Sequence, residues 1–186
     1  CVRAKAKLPP SPTGPGDRPL GFLDSVSVDL TGNFKMKGFK VNAHGKIHKL
    51  FECWMVLVDK ATRKGWVYQL IHKNDAPRAI EQFCIDVGTP KELCMDGGKE
   101  LINQAFREYL RTEQISAKVS IPYYKDLNAC AEKRIQDLKR IVRTMLLTSG
   151  GDRSLWPFAV RYAQAIKNIL PNRSNPDRAS PHRMAG

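Results

Sequence analysis

The sequence predicts an α/β fold, a mixed sheet of five strands flanked by helices, and three observations predict it. Three β-rich runs follow one another at Leu23 to Leu30, Leu50 to Val58 and Trp66 to Ile71, the last two joined by a Gly-containing hairpin connection. A helix-length amphipathic stretch from Ala76 then leads into an apolar run ending at Asp96. That strand, helix, strand order demands parallel pairing with the first strand. Finally, helical patterns from Ala129 and from Leu155 to Leu170 carry broad apolar faces that a sheet must cover.

In chain order, residues 8 to 19 hold five prolines and read as an extended linker, so the core is expected over 21–173, after a basic Pro-rich linker, 1–20. Thr31-Gly32-Asn33 ends the first strand, and Phe34 to Lys49 reads as basic and loop-like. Trp54, Trp66 and Tyr68 read as packing residues. Asn74-Asp75-Ala76-Pro77 has the capping side chain and early proline of a helix start, Ala76, Ile80, Phe83, Cys84 and Val87 keep helical spacing, and Gly88 with Pro90 stops the helix. Leu93-Cys94-Met95-Asp96, followed by Gly97-Gly98, reads as a buried strand ending in a tight turn, which puts Asp96 at a strand tip. A second amphipathic helix spans Glu100 to Glu113, and Ala117 to Ile121 supplies the fifth strand.

Along the helix from Ala129, Ile135, Leu138, Ile141, Val142, Met145 and Leu146 form one apolar stripe. Lys133, Arg134, Gln136, Lys139, Arg140 and Arg143 make the other faces polar and mostly basic. Ser149-Gly150-Gly151 breaks the chain, Asp152 or Ser154 caps the last helix, and any apolar excess on that helix is a candidate oligomer surface. Residues 174–186 read as a basic tail leading onward to a further region.

Composition narrows the classes. At 186 residues and 42% hydrophobic, the chain has the length of one domain and can bury a real core. It has no apolar run of membrane-spanning length and no signal-peptide stretch, and it starts at Cys1 rather than Met, as expected of a piece of a longer polypeptide. Thirty-one Lys plus Arg against 18 acids give a net charge of +13, which favours polyanions. The charge is uneven: residues 1–50 carry 9 basic and 3 acidic side chains, 51–132 carry 11 and 12, and 133–186 carry 11 and 3. Cationic flanks around a near-neutral middle suit a phosphate backbone held about an acidic site. Of the five cysteines, Cys53, Cys84 and Cys94 fall in apolar patterns and read as small buried hydrophobes. His44 and His48 have a zinc-pair spacing, but Gly45 and the lack of a second pair nearby argue against it.

The acids carry the chemistry. Asp29 lies mid-strand in Val26-Ser27-Val28-Asp29-Leu30, Asp96 closes a strand, and Glu132, 36 positions later, lies on the first turn of a helix. For any one of them a solvated loop or cap is the plain alternative. Together, three carboxylates from separate elements have the oxygen-only donor set of a hard divalent cation. Two such ions, about 3.5 to 4 Å apart, clamp the attacking and leaving oxygens of an in-line phosphoryl displacement. Asp59 is a rival for the second acid, but the strand-tip position of Asp96 favours Asp96. Lys139, two turns beyond Glu132 on the same side, is placed to hold a DNA phosphate.

Val28-Asp29-Leu30-Thr31-Gly32, Met95-Asp96-Gly97-Gly98-Lys99-Glu100-Leu101 and Asn128-Ala129-Cys130-Ala131-Glu132-Lys133 resemble the three catalytic blocks of retrovirus-type integrases, in order and spacing, with the best likeness to copia-type LTR retrotransposons. Val58-Asp59-Lys60, Gly65-Trp66-Val67-Tyr68, Arg143-Thr144-Met145-Leu146, Leu155-Trp156, Asn168 and Asn172-Arg173 extend the resemblance over nearly the whole chain. The sequence departs from the family at Ala129, where Gly is usual, and at Ile135 and Gln136, where Asn and Arg are favoured.

The resemblance implies an RNase H-like core and an integrase that joins 3′-hydroxyl ends of linear element DNA to target DNA. It further implies two magnesium (or manganese) ions on Asp29, Asp96 and Glu132. Candidate DNA contacts are Tyr123, Lys125 and Asn128 in the loop before Glu132, and Lys133, Gln136 and Lys139 on the helix. It also implies a homo-oligomer, a dimer or higher, acting in the nucleus after a cytoplasmic particle stage, and a preceding zinc module whose last ligand Cys1 resembles. Two alternatives stand beside this: a catalytically silent core serving binding or assembly, and a ribonuclease H-type nuclease, for which Glu81 alone offers a fourth acid.

Overall fold

A computed structural model describes residues 21–96, 104–120 and 128–186. Five strands form one sheet in the order β5-β4-β1-β6-β7: β1 is Val26–Leu30, β4 Cys53–Asp59, β5 Gly65–Leu70, β6 Glu92–Asp96 and β7 Ser116–Ser120. β1, β4 and β5 are antiparallel in series, while β1, β6 and β7 are parallel, the mixed sheet the crossover demanded.

β4 is buried along its whole length, as a strand covered on both faces must be. Its alternate side chains enter two cores. Cys53, Met55 and Leu57 join Val26, Val28, Leu93 and Met95 beneath α1 (Ala76–Val87) and α2 (Gln104–Thr112), with Ile80, Phe83, Phe106 and Leu110. Trp54, Val56 and Val58 face α3 (Ala129–Ser149) and α4 (Trp156–Ile169), with Leu138, Val142, Trp156 and Val160. The helices begin and end where their residues dictate. Pro77 sits in the first turn of α1, Gly88 ends it at φ 126°, and Gly150 closes α3 at φ 64° with its N–H on the Leu146 carbonyl. The Asp152 carboxylate accepts the Ser154 N–H at 2.7 Å and so caps the 3-10 turn that leads into α4.

Two readings of the sequence need correction. The basic stretch expected to be loop contains a second, two-stranded sheet, β2 (Gly38–Val41) against β3 (Ile47–Phe51). Asn42 makes the turn: its side chain accepts the N–H groups of His44 and Lys46, each at 3.0 Å, and Gly45 takes φ 74°. Val41, Ile47 and Leu50 remain exposed, and Lys40, Asn42, Lys46 and Lys49 among them give the stretch its loop-like composition. The run from Leu50 to Val58 is accordingly split at Glu52, which bridges the Phe34 N–H and the Leu70 carbonyl instead of extending one strand. Residues 174–186, expected as a tail, are folded into a 3-10 turn and α5 (Pro181–Met184); Asn175 is buried and donates to the Thr62 carbonyl at 2.9 Å. The linker, 1–20, lies outside the described residues.

The ribbon is seated on α4 by aromatic contacts. Phe34 lies 4.7 Å from Trp54 and 5.0 Å from Trp156 between ring centroids, and the Trp156 indole N–H donates to the Met36 carbonyl at 3.1 Å. Gly38 meets this layer so closely that a Cβ there would lie 2.2 Å from Pro157 Cγ and 2.6 Å from Trp156 Cε2. Gly38→Ala is therefore expected to lift the ribbon and destabilise the fold by about 1–3 kcal/mol, the usual cost of overpacking. Urea denaturation checks this, and parental stability would refute the close seating.

Candidate active site

The parallel pairing of β1 and β6 sets the site. Val28 pairs with Met95, so Asp29 and Asp96, each one residue further, emerge side by side at the same end of the sheet and on the same face. Asp59 is at the other end: it pairs with Val26, is fully buried, and binds the Leu23 N–H at 3.0 Å and the Thr62 N–H and hydroxyl at 2.8 and 2.7 Å. It builds the β4–β5 turn, at the end of the sheet away from Asp29 and Asp96.

Glu132 comes from α3, and what positions α3 is Asn128. The Asn128 amide donates to the Val28 carbonyl at 2.9 Å, tying the residue before the helix to the strand residue before Asp29. Asn128 is only 2% exposed, so the loop residue expected to touch DNA acts from inside as an anchor. Glu132 then falls in the first turn of α3, where the helix dipole favours a carboxylate.

Asp29 records the convergence. Burial pushes its carboxyl up to about 6 from the usual 3.8; the Leu30 N–H, donating at 2.8 Å, opposes this, the charges of Glu132 and Asp96 add to it, and Lys139 opposes it. Four groups from three elements therefore share one electrostatic neighbourhood. Among the described residues no three His, Cys, Asp or Glu side chains are drawn together into a metal cage. The donor chemistry at the sheet end nonetheless fits a hard divalent cation, since carboxylates offer the oxygen donors such an ion takes and a dication would relieve their mutual repulsion.

The remaining candidates divide. Lys133, Gln136 and Lys139 are exposed on α3, whereas Tyr123 and Lys125 lie outside the described residues, as do Gly97-Gly98 and Cys1. Arg134, read as part of the basic outer face, is 5% exposed; burial holds its guanidinium down to about 10, Asp137 and Cys130 oppose that, and the Arg63 charge adds to it. Its spacing was the missed signal, three residues after Ala131 and four before Leu138, both fully buried. Arg63, at φ 64° in the β4–β5 turn, left no mark in the sequence pattern. Glu81 lies by Cys84 and Tyr109 on α1, under the opposite face of the sheet, so it is not placed as a fourth acid. Cys53 and Cys94 are buried as expected, and Cys84 is half-buried.

The sheet order and the helix placement are those of the RNase H-like integrase core. A chain of the simian T-cell lymphotropic virus intasome in complex with PP2A regulatory subunit B56 gamma superposes with a TM-score of 0.71 at 16% identity, over 90% of this chain and 56% of that one. The HTLV-2 integrase catalytic core domain in complex with magnesium superposes with a TM-score of 0.66, at 18% identity in its trimeric form and 17% in its dimeric form, over 91% and 90% of this chain and 100% and 99% of theirs.

In sequence the chain is 27% identical, over 161 residues, to the retrovirus-related Pol polyprotein from transposon TNT 1-94 of Nicotiana tabacum, covering 84% of this chain and 11% of that polyprotein. It is 26% and 25% identical to those from transposons RE2 and RE1 of Arabidopsis thaliana, over 65% and 67% of this chain and 8% and 9% of theirs. The chain thus spans about a tenth of the curated relatives it matches. No family model matches it. It is a homologue of plant copia-type retrotransposon Pol polyproteins with the fold of a retroviral integrase catalytic core.

The raised Asp29 carboxyl fixes a pH dependence. Its folded form takes up a proton near pH 6 and its unfolded form near 3.8, so the stability it contributes is complete below 3.8 and lost as pH rises through 6. In chelator-treated protein, the stability of wild type relative to Asp29→Asn should fall across that window in urea titrations. A flat or rising difference would refute the raised Asp29 carboxyl.

Proposed function

We propose that the chain is the catalytic core of an integrase, a polynucleotidyl transferase that joins the 3′-hydroxyl ends of linear element DNA to target DNA. The observation that carries this reading is the common electrostatic neighbourhood of Asp29, Asp96 and Glu132 at one end of an integrase-type sheet. Asp29, Asp96 and Glu132 would hold divalent ions, two magnesium or manganese, which when bound supply charge to activate the hydroxyl and stabilise the leaving oxygen. Magnesium accompanies the HTLV-2 core, which supports that choice.

The chain's own side chains do the rest. Asp29 and Asp96 are held by the ladder, and Glu132 by a helix whose first turn Asn128 fixes, so the carboxylates need little reorganisation on binding. Lys139, near enough to Asp29 to influence it, would hold a phosphate of the bound strand, with Lys133 and Gln136 beside it and Tyr123 and Lys125 proposed for the DNA ends. Oligomerisation is part of the reading. The HTLV-2 core occurs in dimeric and trimeric forms, and α4 exposes Phe158, Tyr162 and Ile169 although its other face is buried. Among the described residues no helix is long and apolar enough to cross a membrane.

With the chain's natural flanking regions present, Glu132→Gln should lower metal-dependent DNA joining by more than about 100-fold, the scale of a lost electrostatic stabiliser, and leave far-UV circular dichroism unchanged. Near-parental joining would overturn the assignment.

A further inference from the structure

Beside the acidic site, on the flank of α3, is a cavity of about 510 Å³ between the first turns of that helix, the β4–β5 turn and the C-terminal end of α4. Four cations line it, Arg63, Lys133, Arg134 and Lys167, with two acids, Glu132 and Asp137. Asp137 is already paired, to Lys167 at 3.2 Å and Arg140 at 3.1 Å. The two arginines are not. Arg134 donates one N–H to the Arg63 carbonyl at 2.7 Å and Arg63 donates one to the Cys130 thiol. Among the described residues, Arg134 Nη1 and Arg63 Nε are buried without a hydrogen-bond partner, and neither guanidinium has a carboxylate within ion-pair distance. A buried, unpaired cation is costly to keep unless something anionic joins it.

The chain builds this arrangement with care for position. Arg63 is held at φ 64° by a turn whose Asp59 carboxylate binds Thr62, and the Arg63 N–H reaches the Asp59 carbonyl at 2.9 Å. Gly65 leaves room for Arg134: a Cβ there would stand 2.8 Å from Nη1.

We propose that this cavity binds a backbone phosphate of a nucleic-acid strand, gripped by Arg63 and Arg134 and flanked by Lys133 and Lys167. Guanidinium forks match the oxygens of a phosphate bidentately, and the number of cations fits a group with several acceptors. Because Glu132 borders both places, a strand held here continues towards the carboxylate cluster. The assignment rests on the nucleic-acid reading above and extends it to residues on the β4–β5 turn and α4.

Fluorescence anisotropy of a short DNA duplex, measured over a range of salt, tests it. Each lost phosphate contact should reduce the slope of log Kobs against log salt by about 0.9, so Arg63→Gln is expected to show that reduction and several-fold weaker binding at low salt. Since Arg134 variants can misfold, the second readout uses the wild-type chain. The Arg63 Nε–H resonance, assigned by its loss in Arg63→Gln, should shift on adding the duplex. An unmoved resonance, or a parental salt slope in Arg63→Gln, overturns the proposal. A shift with inorganic phosphate alone, without a slope change, overturns the nucleic-acid assignment. Failure of the transferase reading is separable: a protein that joins no DNA ends yet shows the Arg63 response keeps the cavity and loses the enzyme.

Discussion

Strand β1 is five residues long and must serve two neighbours running in opposite senses, β4 antiparallel on one side and β6 parallel on the other. Everything else follows from that constraint. A parallel neighbour cannot be reached by a hairpin, so the chain must cross over through α1, and β6 can then only end where β1 ends. Two acids at the ends of these strands become neighbours whether or not they attract one another. They do not: burial pushes the Asp29 carboxyl up, and the charges of Glu132 and Asp96 add to it. The ladder and the cores on either face supply the free energy that keeps the repelling groups in place, a strain that functional sites commonly store.

The third acid depends on a different device. α3 is 21 residues long and packs on β4 and α4 through Leu138, Val142 and their neighbours, contacts that fix its axis, and the fully buried Ala131 seats its first turn. The buried Asn128 amide adds a directional tie by reaching the Val28 carbonyl, so the placement of Glu132 is referred to the same strand that carries Asp29. One hydrogen bond thereby couples the helix to the ladder.

Features were legible in the sequence where they rested on local chemistry and illegible where they rested on distant contacts. Asp96 announces itself because an apolar run stops there, and α1 and α3 because Pro77, Gly88 and Gly150 mark their ends. The β2–β3 ribbon was hidden because its alternation is masked by lysines and Val41, Ile47 and Leu50 stay exposed, although Asn42 with Gly45 held the turn signal. Asn128 reads as a polar loop residue because nothing nearby shows that its partner lies 100 positions earlier. Arg134 misled for the opposite reason. Its charge argued for water while its spacing argued for the core, and the spacing won, with Gly65 supplying the room.

Carboxylates and guanidiniums meet at the start of α3. Glu132 and Lys139 act on Asp29 at the strand tips, while Cys130 and Arg134 line the cavity beside the β4–β5 turn with Glu132 at its border, so a cluster of carboxylates adjoins two guanidiniums that have no carboxylate partner among the described residues. Direct pairing would satisfy both. The helix prevents it by holding Arg134 under Gly65 and Glu132 by the sheet end. Keeping opposite charges apart in this way costs stability, a cost that the proposed metal ions and phosphate would each relieve. On the proposed reading, a strand lying across the first turn of α3 would supply the phosphate and lie beside the acids, and the chain's net charge of +13 would favour its approach.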